Sequence, residues 1–352
     1  MFYRENGQFK TSYEADQALF PIRQDRIAML VILFAAFVVV PLTATEYVYT
    51  GILIPFLVLT LATIGLNLLT GYCGQVSLGT GAFMAVGAYA AYNLVLRVPG
   101  LNLLAAMLLG GGISALVGVL FGLPSLRIKG FYLAVATLAA QFFMDWLFIR
   151  IKWFTNYATN ATAPKLIFFG VPLDSAGRRY LFTLAIVVVL ALAAKNLVRG
   201  AIGRRWMAVR DMDIAAEIIG IRLLRTKLLA FAVSSFYCGV AGALWAFVHL
   251  GAWEPLTFDV NRSFQVLFMV IIGGVGSILG SFLGAAFIFA VPILINQVPA
   301  ALGVPISTAL SSNLESMVFG ALIIFFLIAE PHGLARLWQL GKEKLRLWPL
   351  PH

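Results

Sequence analysis

Residues 203–220, GRRWMAVRDMDIAAEIIG, hold Arg204, Arg205, Arg210, Asp211, Asp213 and Glu217 in a chain of which only 11% is charged. A mixed-sign cluster of this density can pair with charges on another macromolecule or with lipid headgroups. Catalytic constellations are missing elsewhere. The one Gly-Lys pair, Gly341-Lys342, is followed by Glu343, so no phosphate loop is present. No His-Glu-x-x-His pair occurs, and His249, His332 and His352 are too scattered for a metal cluster. No carboxylate pair sits inside an apolar run. An enzyme reading has little support, and neither a metal nor a cofactor is expected.

Ionisable groups within a bilayer are costly and persist where they bind or relay ions. The candidates here sit at the ends of apolar runs: Asp145 beside Trp146, His249, and Glu315 and Glu330 bracketing one run. Interfacial capping accounts for such positions. With the middle of the membrane nearly free of charge, the energy for transport must come from elsewhere, or the chain is a passive channel.

Uncharged polar residues are a second feature. The run at 65–91, GLNLLTGYCGQVSLGTGAFMAVGAYAA, sets Asn67, Gln75 and Ser77 among six glycines. Close helix packing through small residues explains part of this. A broken helix whose freed backbone groups line a polar cavity would explain the rest, with Asn67, Gln75 and Ser77 as path-lining residues. Gly74-x-x-Ser77 has a weak echo in Gly274-x-x-Ser277.

The elements that position these residues are membrane helices. A soluble domain averages about 25% charged and 45–50% apolar residues. This chain of 352 residues is 61% apolar, with a mean hydropathy of +0.93. The expected fold is all-α and polytopic, with ten spans near 27–42, 50–70, 74–96, 101–123, 131–149, 180–198, 228–250, 264–280, 282–298 and 314–330. The eighth and ninth, VIIGGVGSILGSFLGAAFIF, read equally as two helices hinged at glycines or as a re-entrant hairpin. Residues 1–26 are polar and mixed in charge, unlike a secretory signal, and read as a cytoplasmic tail. Residues 27–330 form the membrane-spanning body, with 199–227 as an internal cytoplasmic segment, and 331–352 a second cytoplasmic tail. Cys73 and Cys238, far apart in apolar context, read as small buried hydrophobes.

With both termini cytoplasmic, 18 of the 25 Lys and Arg fall on the inner side. Five of the others lie in the 150–179 loop. The net charge of +10 thus reflects topology and anionic lipid; no compact basic groove tracks a nucleic acid. The charged cluster belongs to the largest internal cytoplasmic segment, 199–227. Trp206, Val209, Met212, Ala216 and Ile219 recur at helical spacing on one face. Such a helix can lie on the inner leaflet or dock into a cytoplasmic partner. Gly220 can end it in a left-handed cap.

Four blocks occur in one order: the 65–91 run, LRIKGFYLAVATLA at 126–139, GRRWMAVRDMDIAAEIIGI, and VIIGGVGSILGSFLGAA at 270–286. Together they resemble the larger branched-chain amino acid permease subunit of bacterial ABC importers, over about residues 50–330. The resemblance implies that the segment 199–227 couples to an ATPase. Ala215-Ala216-Glu217 with Gly220 looks like that family's coupling loop, with Arg210 and Asp213 beside it. The wider motif ends in an Ile-x-Leu-Pro, whereas no proline follows here before Pro255. The implied machine sits in the bacterial inner membrane. It pairs this permease with a second, shorter one, two ATPases and a periplasmic substrate-binding protein, and works by alternating access. Relatives carry urea, amides or aromatic acids. A sugar-type ABC permease and an ion-coupled secondary carrier are the alternatives.

Overall fold

The computed structural model of the chain describes residues 11–12, 23–123, 131–157, 161–162, 166–168, 171–301, 308–330 and 332–347. The expectations for residues 1–10 and 13–22, and for Arg127 and Lys129, lie outside these. The protein is helical and polytopic. Among the described residues seven helices are long and apolar enough to cross a membrane: α1 (Asp25–Thr43), α2 (Val48–Tyr72), α4 (Leu103–Gly122), α5 (Tyr132–Arg150), α6 (Ala176–Arg199), α9 (Leu223–Leu250) and α11, whose spanning part is Ile278–Ile295. Three further helices fall on the remaining predicted segments: α3 (Thr80–Arg97), α10 (Val260–Gly273) and α12 (Thr308–Ala329). Outside them lie α7 (Ala201–Asp211), α8 (Asp213–Ile218) and the terminal α13 (Gly333–Leu347).

Lipid tails are as apolar as leucine, so helices in a bilayer associate through close packing and hydrogen bonds rather than by leaving water. Small residues supply the close packing. At the centre, α9 is held between α3 and α4. A Cβ on Gly87 of α3 would overlap the backbone of Gly239 on α9, and one on Gly242 would overlap the carbonyl of Met84. A Cβ on Gly239 would come 2.5 Å from Ser114 Cβ on α4. The backbones of three helices therefore touch along one seam, and α2 packs against its α9 side.

In contrast, α1 buries none of its spanning residues against the rest of the chain. Its winding loosens into a π-type stretch at Ala35–Val39. The Tyr180 hydroxyl donates to the Ala36 carbonyl at 3.0 Å, and the Tyr49 hydroxyl to Val40 at 3.1 Å.

Two boundaries differ from the sequence expectation. The third span begins as a helix only at Thr80, because residues 74–79 run without helical structure. The eighth and ninth are divided at 274–277, not near 281. With 24 residues in Ile278–Ala301, α11 is about 36 Å long, whereas the 14 residues of α10 reach about 21 Å, short of a ~30 Å hydrocarbon core. The pair is therefore one short and one full-length helix, not a hairpin of two short arms.

The loops sort to two ends. At one end Ala161–Thr162 pairs antiparallel with Ala252–Trp253, and Arg97 lies over the Trp153 ring at 3.5 Å. At the other end α7, the C-terminus of α2 and the 274–277 turn meet the start of α13, where Gly333 packs against Gly274.

Candidate translocation and coupling site

The first break follows Tyr72. Gly74 takes a left-handed φ of +72°, and Gln75 N donates back to Leu69 O at 3.2 Å. Six residues then run unpaired by helix, so their backbone groups need other partners. Side chains from two other helices supply them. Thr137 Oγ1 on α5 accepts from Leu78 N at 2.8 Å, and Ser263 Oγ on α10 accepts from Gly81 N at 2.8 Å. Gln141 Oε1 accepts from Ala82 N and from Ser263 Oγ. Its Nε2 donates to Phe258 O at 2.8 Å and to Asp145 Oδ1 at 2.9 Å. The start of α3 is thus capped inside the protein, against the start of α10. Two half-helices begin face to face, the arrangement found where transporters interrupt their spans.

The second break, 274–277, lies at the far end of α10. Gly274 and Gly276 have φ of +120° and +80°, which only glycine adopts without strain. Asn67 of α2 closes it. Its Nδ2 donates to Ser277 O at 2.8 Å and Ser281 Oγ at 3.0 Å, while its Oδ1 accepts from Gly276 N at 2.8 Å. The two tetrads that echo one another in sequence both fall on breaks.

The predicted path residues separate on this geometry. Asn67 is fully buried and consumed by the second break. Ser77 is also buried, with its Oγ accepting from Gly79 N at 3.3 Å. Gln75 is 5% exposed, and among the described residues neither its Oε1 nor its Nε2 has a partner. An unpaired buried amide costs about 1–3 kcal/mol, which makes Gln75 the one of the three that has capacity left for a solute or water. An apolar groove of about 570 Å³ lies elsewhere, between α4 and α6, lined by Leu104, Leu108, Phe182 and Val189. Sequence reasoning missed Thr137, Gln141, Ser263 and Ser281. A lone amide in an apolar run, as at Gln141, was the available signal. Cys73 and Cys238 are free and buried. Among the described residues no cluster of His, Cys, Asp or Glu could hold a metal.

The charged segment is two helices rather than one. Met212, with φ of −158°, is extended and ends α7 before α8 begins. The single apolar face expected over 206–219 is thereby divided. Trp206, Val209 and Ala216 are buried, with Trp206 Nε1 donating to Thr226 O at 3.1 Å. Met212 and Ile219 point outward with Ile214 and Ile218, between 66% and 81% exposed. Ala215 and Glu217 are exposed beside them. Gly220, with φ of +89°, ends α8; its N–H reaches Glu217 O at 2.9 Å and that of Ile221 reaches Ala216 O at 2.9 Å. These are the paired bonds of a left-handed helix stop. Arg210 reaches toward the breaks: its Nη1 donates to Gly71 O at 2.9 Å, and its Nε to Asp211 Oδ1 at 2.9 Å.

A multi-pass helical body with interrupted spans and an apolar, charged ledge at one end defines a membrane transport component. Comparison with known proteins gives its family. The family described as branched-chain amino acid transport system / permease component matches residues 48–327, and the chain belongs to it. It is a multi-pass protein of the bacterial inner membrane, and its family is a membrane transport component. Among its relatives, the high-affinity branched-chain amino acid transport system permease protein LivM of Salmonella typhimurium is 30% identical over 77% of this chain. LivM of Escherichia coli is 29% identical over the same share. The chain spans 66% of the length of each of these two relatives. The probable LivM of Methanocaldococcus jannaschii is 26% identical over 88% of this chain and 93% of its own length. No solved structure matches.

Proposed function

We propose that the chain is the membrane-spanning permease subunit of an ATP-driven importer for branched-chain or related hydrophobic amino acids. It works by alternating access, with both termini cytoplasmic. A second permease subunit completes the membrane domain, and two ATPase subunits dock on the α7–α8 ledge. A periplasmic binding protein delivers solute at the opposite end. The names of the LivM relatives support the solute class.

The observation that carries the coupling assignment is the outward set Met212, Ile214, Ile218 and Ile219 around Glu217. Four exposed apolar side chains flanked by charge form the kind of centre and rim that a protein groove covers. On docking, a charge pair at Glu217 would be desolvated, and truncating one side of such a pair costs about 2–5 kcal/mol. Reversal to Arg adds repulsion. Val at Gly220 would be forced into a left-handed backbone at a cost of about 1–3 kcal/mol. Co-purification with the ATPases, and hydrolysis stimulated by binding protein, therefore fall by more than tenfold in Glu217→Arg and clearly in Gly220→Val. Both remaining near wild type would overturn the coupling assignment. Leucine accumulation by this chain alone, driven by a proton or sodium gradient, would overturn the importer reading itself.

A further inference from the structure

We infer that Arg262 and Trp245 form a carboxylate-binding site of this permease, built where α10 begins against the last turns of α9. The inference rests on the proposed transport of amino acids and names the contact that would hold their acidic end.

The guanidinium of Arg262 lies over the indole ring of Trp245, 4.4 Å from its centroid. Its Nη1 donates to Gln265 Oε1 at 2.7 Å. Among the described residues it forms no ion pair. The nearest acid in sequence, Asp259, is engaged elsewhere: Oδ1 accepts from Arg262 N at 3.1 Å and Oδ2 from Asn261 Nδ2 at 2.6 Å. Trp245 is buried, and among the described residues its Nε1 has no acceptor. His249 packs its ring 4.5 Å from the same indole.

Arginine carries five N–H donors and no acceptor, and tryptophan one donor and none. The unmet capacity is therefore all of one kind. A cation with one neutral acceptor and no ion pair, beside an N–H with no acceptor among the described residues, fits an anion; the planar fork of the guanidinium fits a carboxylate with two oxygens. A neutral amide or hydroxyl would bring no charge to the guanidinium, which Asp259 reaches only through space. The ring covers one face of the guanidinium and leaves its N–H groups in the plane, where a carboxylate approaches. Local winding agrees with a working site, since α9 changes to a π-type turn at Trp245–Leu250, a feature frequent at functional positions. The same stack could serve only as a staple between α9 and α10, and the experiment separates the two.

Saturation-transfer NMR on the purified assembly, without binding protein, reads weak solute binding directly. Three probes are compared: leucine, isovalerate (the carboxylate and branched chain without the ammonium) and isoamylamine (the reverse). Wild type binds leucine and isovalerate, and isoamylamine at least tenfold less. Arg262→Gln loses carboxylate binding by tenfold or more. Trp245→Phe keeps the ring and the stack but removes the N–H; a hydrogen bond to a charged group is of a size that makes this loss about tenfold as well. If Trp245→Phe binds isovalerate like wild type, or isoamylamine matches isovalerate, the site is a staple and the inference is wrong. Should Arg262→Gln fail to assemble, the Trp245→Phe result decides alone. Isovalerate reports on the site even if leucine uptake by the wild-type assembly fails, and that failure would count against the proposed solute only.

Discussion

The Nη1 of Arg210 and the carbonyl oxygen of Gly71 are joined by a 2.9 Å hydrogen bond, so the charged ledge is tied to the last turn of α2. The tie sits in a crowded junction. A Cβ on Gly71 would overlap the backbone N of Gly276 in the second break, and one on Gly74 in the first would come 2.8 Å from Arg210 Cγ. One side chain therefore touches the first break directly and the second through Gly71.

Removing that side chain tests whether the junction transmits motion. A hydrogen bond from a charged donor contributes about 1.5–3 kcal/mol, too little to unfold a subunit of this size. Arg210→Ala is expected to co-purify with its ATPases and hydrolyse ATP, while leucine uptake per ATP falls at least tenfold in proteoliposomes. An unchanged ratio of uptake to hydrolysis would make the bond ornamental.

Asn67 gives a contrasting prediction, about stability. Asn67→Leu leaves Gly276 N, Ser277 O and the Ser281 hydroxyl without their present partner, at about 1–3 kcal/mol for each buried group left unpaired. The melting temperature of the detergent-solubilised subunit should drop by several degrees. If melting is unchanged and only uptake suffers, Asn67 lines the path after all.

The seam between α3 and α9 makes a third. Gly87→Val places a branched side chain where the Gly239 backbone already is, so the subunit should fail to accumulate or should melt far earlier. Gly112, on the same α4 that flanks the seam, faces open space within 4 Å, and Gly112→Ala is the control. Alanine favours a helix interior over glycine by about 0.5–1 kcal/mol, so that variant should melt no lower than wild type. Equal behaviour of the two variants would refute the packing argument.

The spans were legible because a bilayer demands about 20 apolar residues in a row, and that signal is read directly from the chain. The breaks were harder. Residues 74–79 lie in the glycine-rich run that reads as a packed or a broken helix alike, and nothing in that run marks where the helix stops. Gln141 is a lone amide in an apolar run and Ser263 a single hydroxyl beside Arg262, and only the fold brings both to the start of α3. The division at Met212 has no local signal at all: the helical spacing from Trp206 to Ile219 runs straight through it. That turn answers to tertiary demands, with Trp206 buried against Thr226 and Arg210 drawn to Gly71.

The backbone contact along Gly87, Gly239 and Gly242 also fixes what kind of machine this is. Helices separated by long side chains can slide by exchanging rotamers, but surfaces whose ridges are peptide groups have nothing to rearrange. A shift of α9 along α3 by even one residue would bring a Cβ to a spot where only a hydrogen fits. The three helices behave as a stator, and whatever stroke the subunit performs is left to the parts hung around it: the two interrupted spans, α1 and the ledge.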